Sequence, residues 1–368
     1  MTNHQNTGRQ HSGRLRTGRT TGTCATAAAM AGVVFLRTGA RPRSVAVPLP
    51  PGGHLDVPIA CYEPHGDTVR VTVIKDGGDD PDATHGCDIQ ALVELHQSGA
   101  EYMVVEIEGG AGVGVTTLPG LPVAVGRPAI NPEPLRQIKA GVRAVTGPDF
   151  AGRVRVVIEV PDGERLAAKT MNPRLGIVGG ISILGTQGIV KPYSHDSWKA
   201  TVAEGLDVAR ALGLTHAVFT TGRRSERLYL DAHPDTSTTA LIQAADFFEF
   251  SMDAAAQRGF ARVTWTLFFG KLVKQAQGLA STHAKSHPVD FARLADRCAE
   301  AGCAPGLLPT VRTANTARQV LDLLRPDPAL PTLLARLKAE AAGAARAFSG
   351  SRCEVDHAVF DFDGERLA

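Results

Sequence analysis

Small and apolar residues follow a helical pattern from Thr23 to Thr38, and Gly39 with Pro42 closes the run. The pattern then changes to short β-branched runs separated by Pro-Gly and Gly-Asp punctuation: SVAVPL at 44–49, HLDVPIAC at 54–61 and TVRVTVI at 68–74. In CDIQALVELHQ the period is two, which sets Ile89, Ala91, Val93 and Leu95 on one face of a strand. The Ser98-Gly99 turn makes EYMVVEIEGG its expected hairpin partner. Asn131 as cap and Pro132 in the first turn predict a helix. RVRVVIEV at 153–160, a Pro-Asp-Gly turn and ERLAAKT at 164–170 predict another hairpin.

After about residue 171 the pattern changes again. Ser194, with Asp196 in the first turn, opens a long helix through DSWKATVAEGLDVARALG. THAVFTTG at 215–222 and ARVTWTLFFGK at 261–271 read as buried strands ending in small-residue turns. Helices are expected around 224–230 and 240–258, from Lys271, and near 289–301, 315–325 and 329–347, with a last strand and turn in VDHAVFDFDGERLA. Strands alternating with helices imply right-handed βαβ units. The expected fold is therefore α/β with two domains. An N-terminal α+β domain with a mostly antiparallel sheet spans 14–170, after a disordered tail at 1–13. A Rossmann-like α/β domain with a parallel sheet spans 171–368.

Composition narrows the class. The chain has 368 residues, 43% of them hydrophobic but only 5% aromatic, with 39 Gly and 23 Pro, which favours a loop-rich enzyme over a helical bundle. No apolar run reaches the length of a membrane span and no signal-peptide core is present, so a cytoplasmic protein without membrane contact is expected. The six cysteines have neither zinc-ribbon nor CxxC spacing, which fits reduced thiols and no protein-bound metal. Net charge is +2, yet the first acidic residue is Asp56, preceded by seven arginines from Arg9 to Arg43. That segment is either a solvated basic face or one wall of a polyanion site. A nucleic-acid binder would interleave aromatics and have a pI above about 9. The pI here is 8.2 and the basic segment is poor in aromatics, so no nucleic-acid partner is expected.

The stretch GRTTGTCATAAAMAG at 18–32 raises the most specific chemistry. It lacks the Lys of a P-loop, which counts against a nucleotide triphosphate or a phosphotransferase. Thr20, Thr21 or Thr23 can cap the alanine-rich helix, and exposed N–H groups with Arg16 and Arg19 beside them would suit an anion. KDGGDDPDATHGC gathers Asp76, Asp79, Asp80, Asp82 and His85 outside any EF-hand order, as a polar loop with Asx turns or as a site loop. Gly109-x-x-Gly112-x-Gly114 is the wrong order for a dinucleotide fingerprint, and a Pro-rich loop follows it; such a loop could bring backbone close to a flat ligand. NPRLGIVGGISILGTQGIVKP at 172–192 is either a buried strand and hinge or part of a cleft between domains. TTGRRSER and FFGKLVK each follow a strand and precede a helix, which suits a nucleoside-type cofactor at the carboxyl ends of a parallel sheet. His283 and Asn315 on later loops read equally as ordinary caps. No Ser-His-Asp, HExxH or paired-Cys constellation supplies a nucleophile.

Taken in order, RTGRTTGTCATAAAMA, KDGGDDPDATHG, GGAGVGVTTLPGLPVAVGRPAINP, KTMNPRLGIVGGISILGTQGIVKP, TTGRRSE and FGKLVKQAQG closely resemble the cobalt-precorrin-5B C1-methyltransferase family (CbiD) of cobalamin biosynthesis, from about residue 14 to the end. The long Arg-rich start and Met30 are local departures from its pattern. The resemblance implies S-adenosylmethionine as methyl donor and a cobalt-corrinoid substrate methylated at carbon 1, with cobalt belonging to the substrate. It also implies transient contact with neighbouring enzymes of that pathway. Such a reaction needs no protein nucleophile, because the conjugated macrocycle supplies the electrons. Placing carbon and methyl in line, about 3–3.5 Å apart, then does most of the work. No catalytic residue carries over. The expected substrate contacts are Arg16, Gly18, Arg19, Thr20, Thr21, Gly22, Thr23, Asp79, Asp80, His85, Asn172 and Arg174. The expected cofactor contacts are Thr221, Gly222, Arg223, Gly270 and Lys271.

Overall fold

The computed structural model describes residues 15–97, 102–147, 149–284 and 286–367. The tail expected at 1–13 and the Ser98-Gly99 turn lie outside the described residues. Tertiary contacts divide the chain into two units, one of Met1–Thr117 with Pro122–Ser194 and one of Leu118–Leu121 with His195–Ala368. The boundary lies after Ser194 rather than after residue 170, because Ile181 and Ile183 are buried in the core of the first unit.

In the first unit, β1 (Gly18–Arg19) leads into α1 (Thr21–Thr38), followed by β2 (Ser44–Pro48), β3 (His54–Pro58), β4 (Cys61–His65) and β5 (Thr68–Ile74). Next come β6 (Asp88–Gln97), β7 (Met103–Gly109), β8 (Val115–Thr116), α2 (Pro132–Thr146), β9 (Gly152–Glu159), α3 (Gly163–Ala167), β10 (Ile177–Val178) and β11 (Ile189–Val190). The stretch read as one strand at 54–61 is thus two, broken at Ile59-Ala60. The main sheet runs β4-β5-β6-β9-β7, antiparallel except between β9 and β7. Ile89, Ala91 and Val93 of β6 are fully buried on one face, as the alternation requires.

α1 packs on β5, β6 and α2. Its small residues are the reason it fits. A Cβ on Gly32 would lie 2.6 Å from a Val93 methyl, and one on Gly141 of α2 would lie 2.7 Å from the Thr26 methyl. From Thr21 to Val33 the helix is buried all round, so it has no polar face, which agrees with its alanine-rich composition. Thr20 caps it by accepting from the Thr23 N–H, and Gly39 in the left-handed region ends it. α2 begins at Pro132 as expected, although the Asn131 side chain makes no cap hydrogen bond.

Neither expected hairpin forms. β9 lies between β6 and β7, so β7 pairs with β9 in parallel and never meets β6. Both edges of β9 are then taken, and residues 164–170 have no strand edge to join. GERLA instead forms α3, in keeping with its good helix formers.

The second unit holds α4 (His195–Ala211), β12 (His216–Thr220), α5 (Arg223–Ala232), β13 (Leu241–Gln243), α6 (Phe248–Gln257), β14 (Arg262–Phe268) and α7 (Phe269–Ala276). It continues with α8 (Phe291–Ala301), α9 (Leu308–Arg312), α10 (Ala317–Leu324), α11 (Leu330–Phe348) and β15 (Glu354–Phe360). All four strands are parallel, in the order β13-β12-β14-β15. β13 occupies the start of the helix expected at 240–258. Phe219, Phe248, Phe260 and Trp265 are buried in its own core. No described helix is long and apolar enough to cross a membrane. The fold is mixed α/β, with an antiparallel-dominated sheet in one unit and a parallel sheet in the other.

Candidate functional site

In the first unit the chain lays three remote segments against one another. β1 pairs with β11, and the Arg19 N–H donates to the Asp76 carbonyl at 2.7 Å. A Cβ on Gly18 would lie 2.2 Å from the Gly77 carbonyl carbon, and one on Gly78 would lie 2.3 Å from the Arg16 carbonyl oxygen. These glycines are required by backbone touching backbone.

Arg16 donates through Nη1 to Asp76 Oδ2 at 3.1 Å and through its backbone N–H to Asp79 Oδ2 at 2.7 Å. The Tyr193 N–H donates to Asp80 Oδ1 at 2.9 Å, and the Gly77 N–H donates to His85 Nδ1 at 3.0 Å. The acidic loop is thus satisfied by its own protein. The Gly78 N–H, assisted by Arg16 and Arg19, holds the Asp76 carboxyl below its ordinary range despite partial burial. Under the loop, Lys75 is 2% exposed and pairs with Asp82. Burial alone would raise the Asp82 pKa, but the Lys75 charge and the Thr84 hydrogen bonds outweigh it and hold it low. Arg16, Lys75 and Thr84 offset part of the mutual repulsion of these carboxylates.

The helix start that suggested an open anion site is filled by the segment 182–188. The Gly22 N–H donates to the Leu184 carbonyl at 3.1 Å. The Thr23 hydroxyl donates to the Gly188 carbonyl at 2.7 Å, and the Thr21 hydroxyl accepts from the Leu184 N–H at 2.8 Å. Thr20, Thr21, Gly22 and Thr23 are all buried. Asn172, also buried, donates to the Gly180 carbonyl and accepts from Ser182, while Arg174 is half-buried beside it. The threonines and Asn172 therefore hold the 180–188 segment in place. Arg19 differs: its Nε is buried and has no acceptor among the described residues.

The Gly-rich segments serve packing too. A Cβ on Gly112 would lie 1.8 Å from the Val160 carbonyl oxygen, and Cβ atoms on Gly163 and Gly180 would fall 1.9 and 2.1 Å from the Gly112 carbonyl oxygen. The loop expected to approach a flat ligand here approaches other loops of the same unit.

In the second unit the other candidates gather at the carboxyl ends of the parallel strands. Thr221 follows β12, and both its N–H and its hydroxyl donate to Ser225 Oγ, at 3.1 and 3.3 Å. Gly222, at the N-cap of α5, has φ 155° and open space where a side chain would project. Arg223 begins α5 and is exposed. Gly270, in the first turn of α7, faces Ala317 of α10. Lys271 Nζ reaches Asp246 Oδ1 at 2.8 Å and donates to the Ala245 carbonyl at 3.2 Å. Thr282 Oγ1 also donates to Asp246 Oδ1, at 2.9 Å. Burial pushes Asp246 up, but Lys271 and Thr282 outweigh it, and its carboxyl stays below the ordinary range. Lys274 lies behind them, 7% exposed, and donates to the Thr282 and His283 carbonyls; burial lowers its pKa. Sequence reasoning passed over Asp246, Lys274 and Thr282. The signal for Asp246 is its place just after β13, in a stretch whose pattern predicts helix. Among the described residues no group of three or more His, Cys, Asp or Glu side chains could hold a metal.

The CbiD family model matches residues 8–192, and the model of the CbiD C-terminal domain matches 281–368. A protein of Nitratidesulfovibrio vulgaris named cobalt-precorrin-5B C(1)-methyltransferase is 48% identical over 96% of this chain and 92% of its own length. One of Salinispora arenicola with the same name is 42% identical over 96% and 92%. The crystal structure of the cobalamin biosynthesis protein CbiD from Archaeoglobus fulgidus is 29% identical, covering 70% of this chain and 78% of that one, with a TM-score of 0.39. This chain belongs to the CbiD family.

Proposed function

We propose that this protein methylates carbon 1 of cobalt-precorrin-5B to give cobalt-precorrin-6A, with S-adenosylmethionine as the donor. Relatives that carry this activity in their names match nearly the whole chain, at 48% and 42% identity, and that observation carries the reading. The first unit is the corrinoid-binding one and the second, Rossmann-like unit binds the cofactor.

For the second unit, the support is its topology. In order of appearance its strands lie 2-1-3-4, so the chain leaves β12 toward β13 on one side and leaves β14 toward β15 on the other, which opens a switch point between β12 and β14. Ligands of open parallel sheets bind outside the carboxyl ends of the strands at such a point. Thr221 and Gly222 follow β12, Gly270 and Lys271 follow β14, and the space in front of Gly222 is open. These residues fit an adenosyl group: a glycine turn for close approach, and an ionised carboxylate, Asp246, beside it. When bound, the cofactor supplies an electrophilic methyl on a sulfonium. The chain's part is to hold and orient both partners and to keep water out.

For the first unit, the support is charge and surface. Residues 109–117, 122–132 and 166–194 contain no Asp or Glu, yet carry Arg127, Lys169, Arg174 and Lys191. Val115 and Val178 are register partners in the β8–β10 pair and are both exposed, at 41% and 58%. An exposed apolar pair on segments that carry basic but no acidic residues suits a flat macrocycle bearing carboxylate arms. The candidates Arg16, Gly18, Arg19, Asp79, Asp80 and His85 remain contacts to be tested. The Thr20–Thr23 turn and Asn172 contribute by fixing the 180–188 segment.

Incubation with methyl-labelled S-adenosylmethionine and cobalt-precorrin-5B should move one label to carbon 1. Label at another carbon, or none transferred by the folded protein, would exclude the reading. Parallel calorimetric titrations should show S-adenosylmethionine binding and no ATP binding.

A further inference from the structure

We infer that Asp246 accepts the ribose hydroxyls of the adenosyl cofactor, an inference that rests on the second unit being the cofactor-binding one. Three observations lead to it.

The first is position. Asp246 lies three residues past the end of β13, the strand beside β12, and 24 residues after Gly222 (246 − 222). In doubly wound nucleotide-binding sheets, an acidic residue about 20 residues beyond the glycine turn takes the ribose.

The second is how the carboxylate is held. Oδ1 receives both Lys271 and Thr282, at 2.8 and 2.9 Å. No hydrogen bond from the described residues reaches Oδ2, and the side chain is 28% exposed. One oxygen is anchored and the other is presented, so the acceptor is fixed before any ligand arrives. An ionised acceptor makes a stronger hydrogen bond to a hydroxyl than a neutral one does.

The third is the support behind it. The Thr282 N–H donates to the Asp246 carbonyl at 2.9 Å, and buried Lys274 holds the Thr282 and His283 carbonyls. Ala245, next to Asp246, has φ 50°. It is kept there by its N–H to the Thr220 carbonyl and by Lys271 at its own carbonyl. A non-glycine residue in this region costs free energy and persists where its surroundings over-determine it. The loop after β13 is thereby tied to the ends of β12 and α7, on the two sides of the switch point.

The test is isothermal titration of the full chain with S-adenosylhomocysteine and with its 2′-deoxy and 3′-deoxy analogues. The unmodified protein should bind at least one deoxy analogue about ten-fold or more weaker, as expected for a lost hydrogen bond to a charged group. Asp246→Asn should bind the parent about ten-fold weaker and should discriminate less between parent and analogue. Thr282→Val, which loosens Asp246 while keeping its charge, should show a smaller loss. If Asp246→Asn retains both affinity and discrimination, Asp246 only clasps the loop and the inference fails. If that variant does not fold, the unmodified protein decides, and equal affinity for parent and both analogues overturns the proposal. If the unmodified protein binds S-adenosylhomocysteine in neither form, the cofactor assignment itself falls.

Discussion

Lowering the pH should destabilise the second unit through the deeply buried imidazole of His357. His357, on β15, is 1% exposed, and its Nε2 lies 3.0 Å from Gln275 Oε1 of α7. Its Nδ1 has no partner among the described residues. Burial pushes its pKa from 6.5 down to about 3, with Asp356 pulling up and Lys338 pulling further down. Between those two values the unfolded chain takes a proton that the folded chain refuses, so stability falls as pH falls through this window. At about 1.4 kcal/mol per unit, the full effect is about 5 kcal/mol, and about 2 kcal/mol is already lost at pH 5. His357→Gln keeps an N–H for Gln275 Oε1 and cannot titrate. Urea unfolding at pH 7.5 and pH 5 measures the difference. Tryptophan fluorescence is a suitable probe, because both tryptophans, Trp198 and Trp265, belong to the second unit. Carboxylates held low, such as Asp246 and Asp361, lose stability in both proteins at lower pH and cancel in the comparison. The unmodified chain should lose about 2 kcal/mol more than the variant between the two pH values. Equal losses would refute a neutral, buried His357.

Three further outcomes follow from the geometry. Gly18→Ala should cost about 3 kcal/mol or more, seen as a lowered Tm, because its Cβ meets the Gly77 backbone; Gly126→Ala, with open space and only a positive φ against it, should cost about 1 kcal/mol. Thr20→Ala should remove a helix cap, at about 0.5–2 kcal/mol, and leave ligand affinities unchanged, whereas Arg19→Ala should raise the corrinoid Kd with cofactor binding intact; a lowered Tm with normal corrinoid affinity in Arg19→Ala would make Arg19 structural. Gly222→Val strains the turn at φ 155° and fills the space in front of it, so it should weaken S-adenosylmethionine binding in calorimetry while the first unit keeps its stability; unchanged affinity in the folded variant would move the cofactor elsewhere.

The elements that sequence revealed are those whose signals are local. Thr20, Gly39 and the alanine run give α1 its limits, and the alternation of Ile89, Ala91 and Val93 gives β6 its buried face. What stayed hidden depends on partners distant in the chain. Nothing in EYMVVEIEGG says that β9 will come between it and β6, and β13 has three residues, too few for a period. The site divides the same way. Strand-turn-helix grammar located Thr221, Gly222, Gly270 and Lys271. The threonines after Arg19 looked like open hydroxyls because their acceptors, the Ser182, Leu184 and Gly188 carbonyls, lie more than 150 residues away. Asp246 was obscured by the misread strand before it.

The place of β9 also governs how the first unit can be made. β6 is finished at Gln97 and β7 at Gly109, yet the strand that joins them begins only at Gly152. During synthesis β6 and β7 emerge as neighbours across a short connection, and the quick local pairing between them is the wrong one. The native arrangement requires that contact to stay open while α2 and the long loop before it are added. Closing a distant pairing is slow relative to a hairpin. A refolding chain therefore carries a built-in competitor, and the unpaired edges of β6 and β7 are its exposure to aggregation until residues 152–159 arrive.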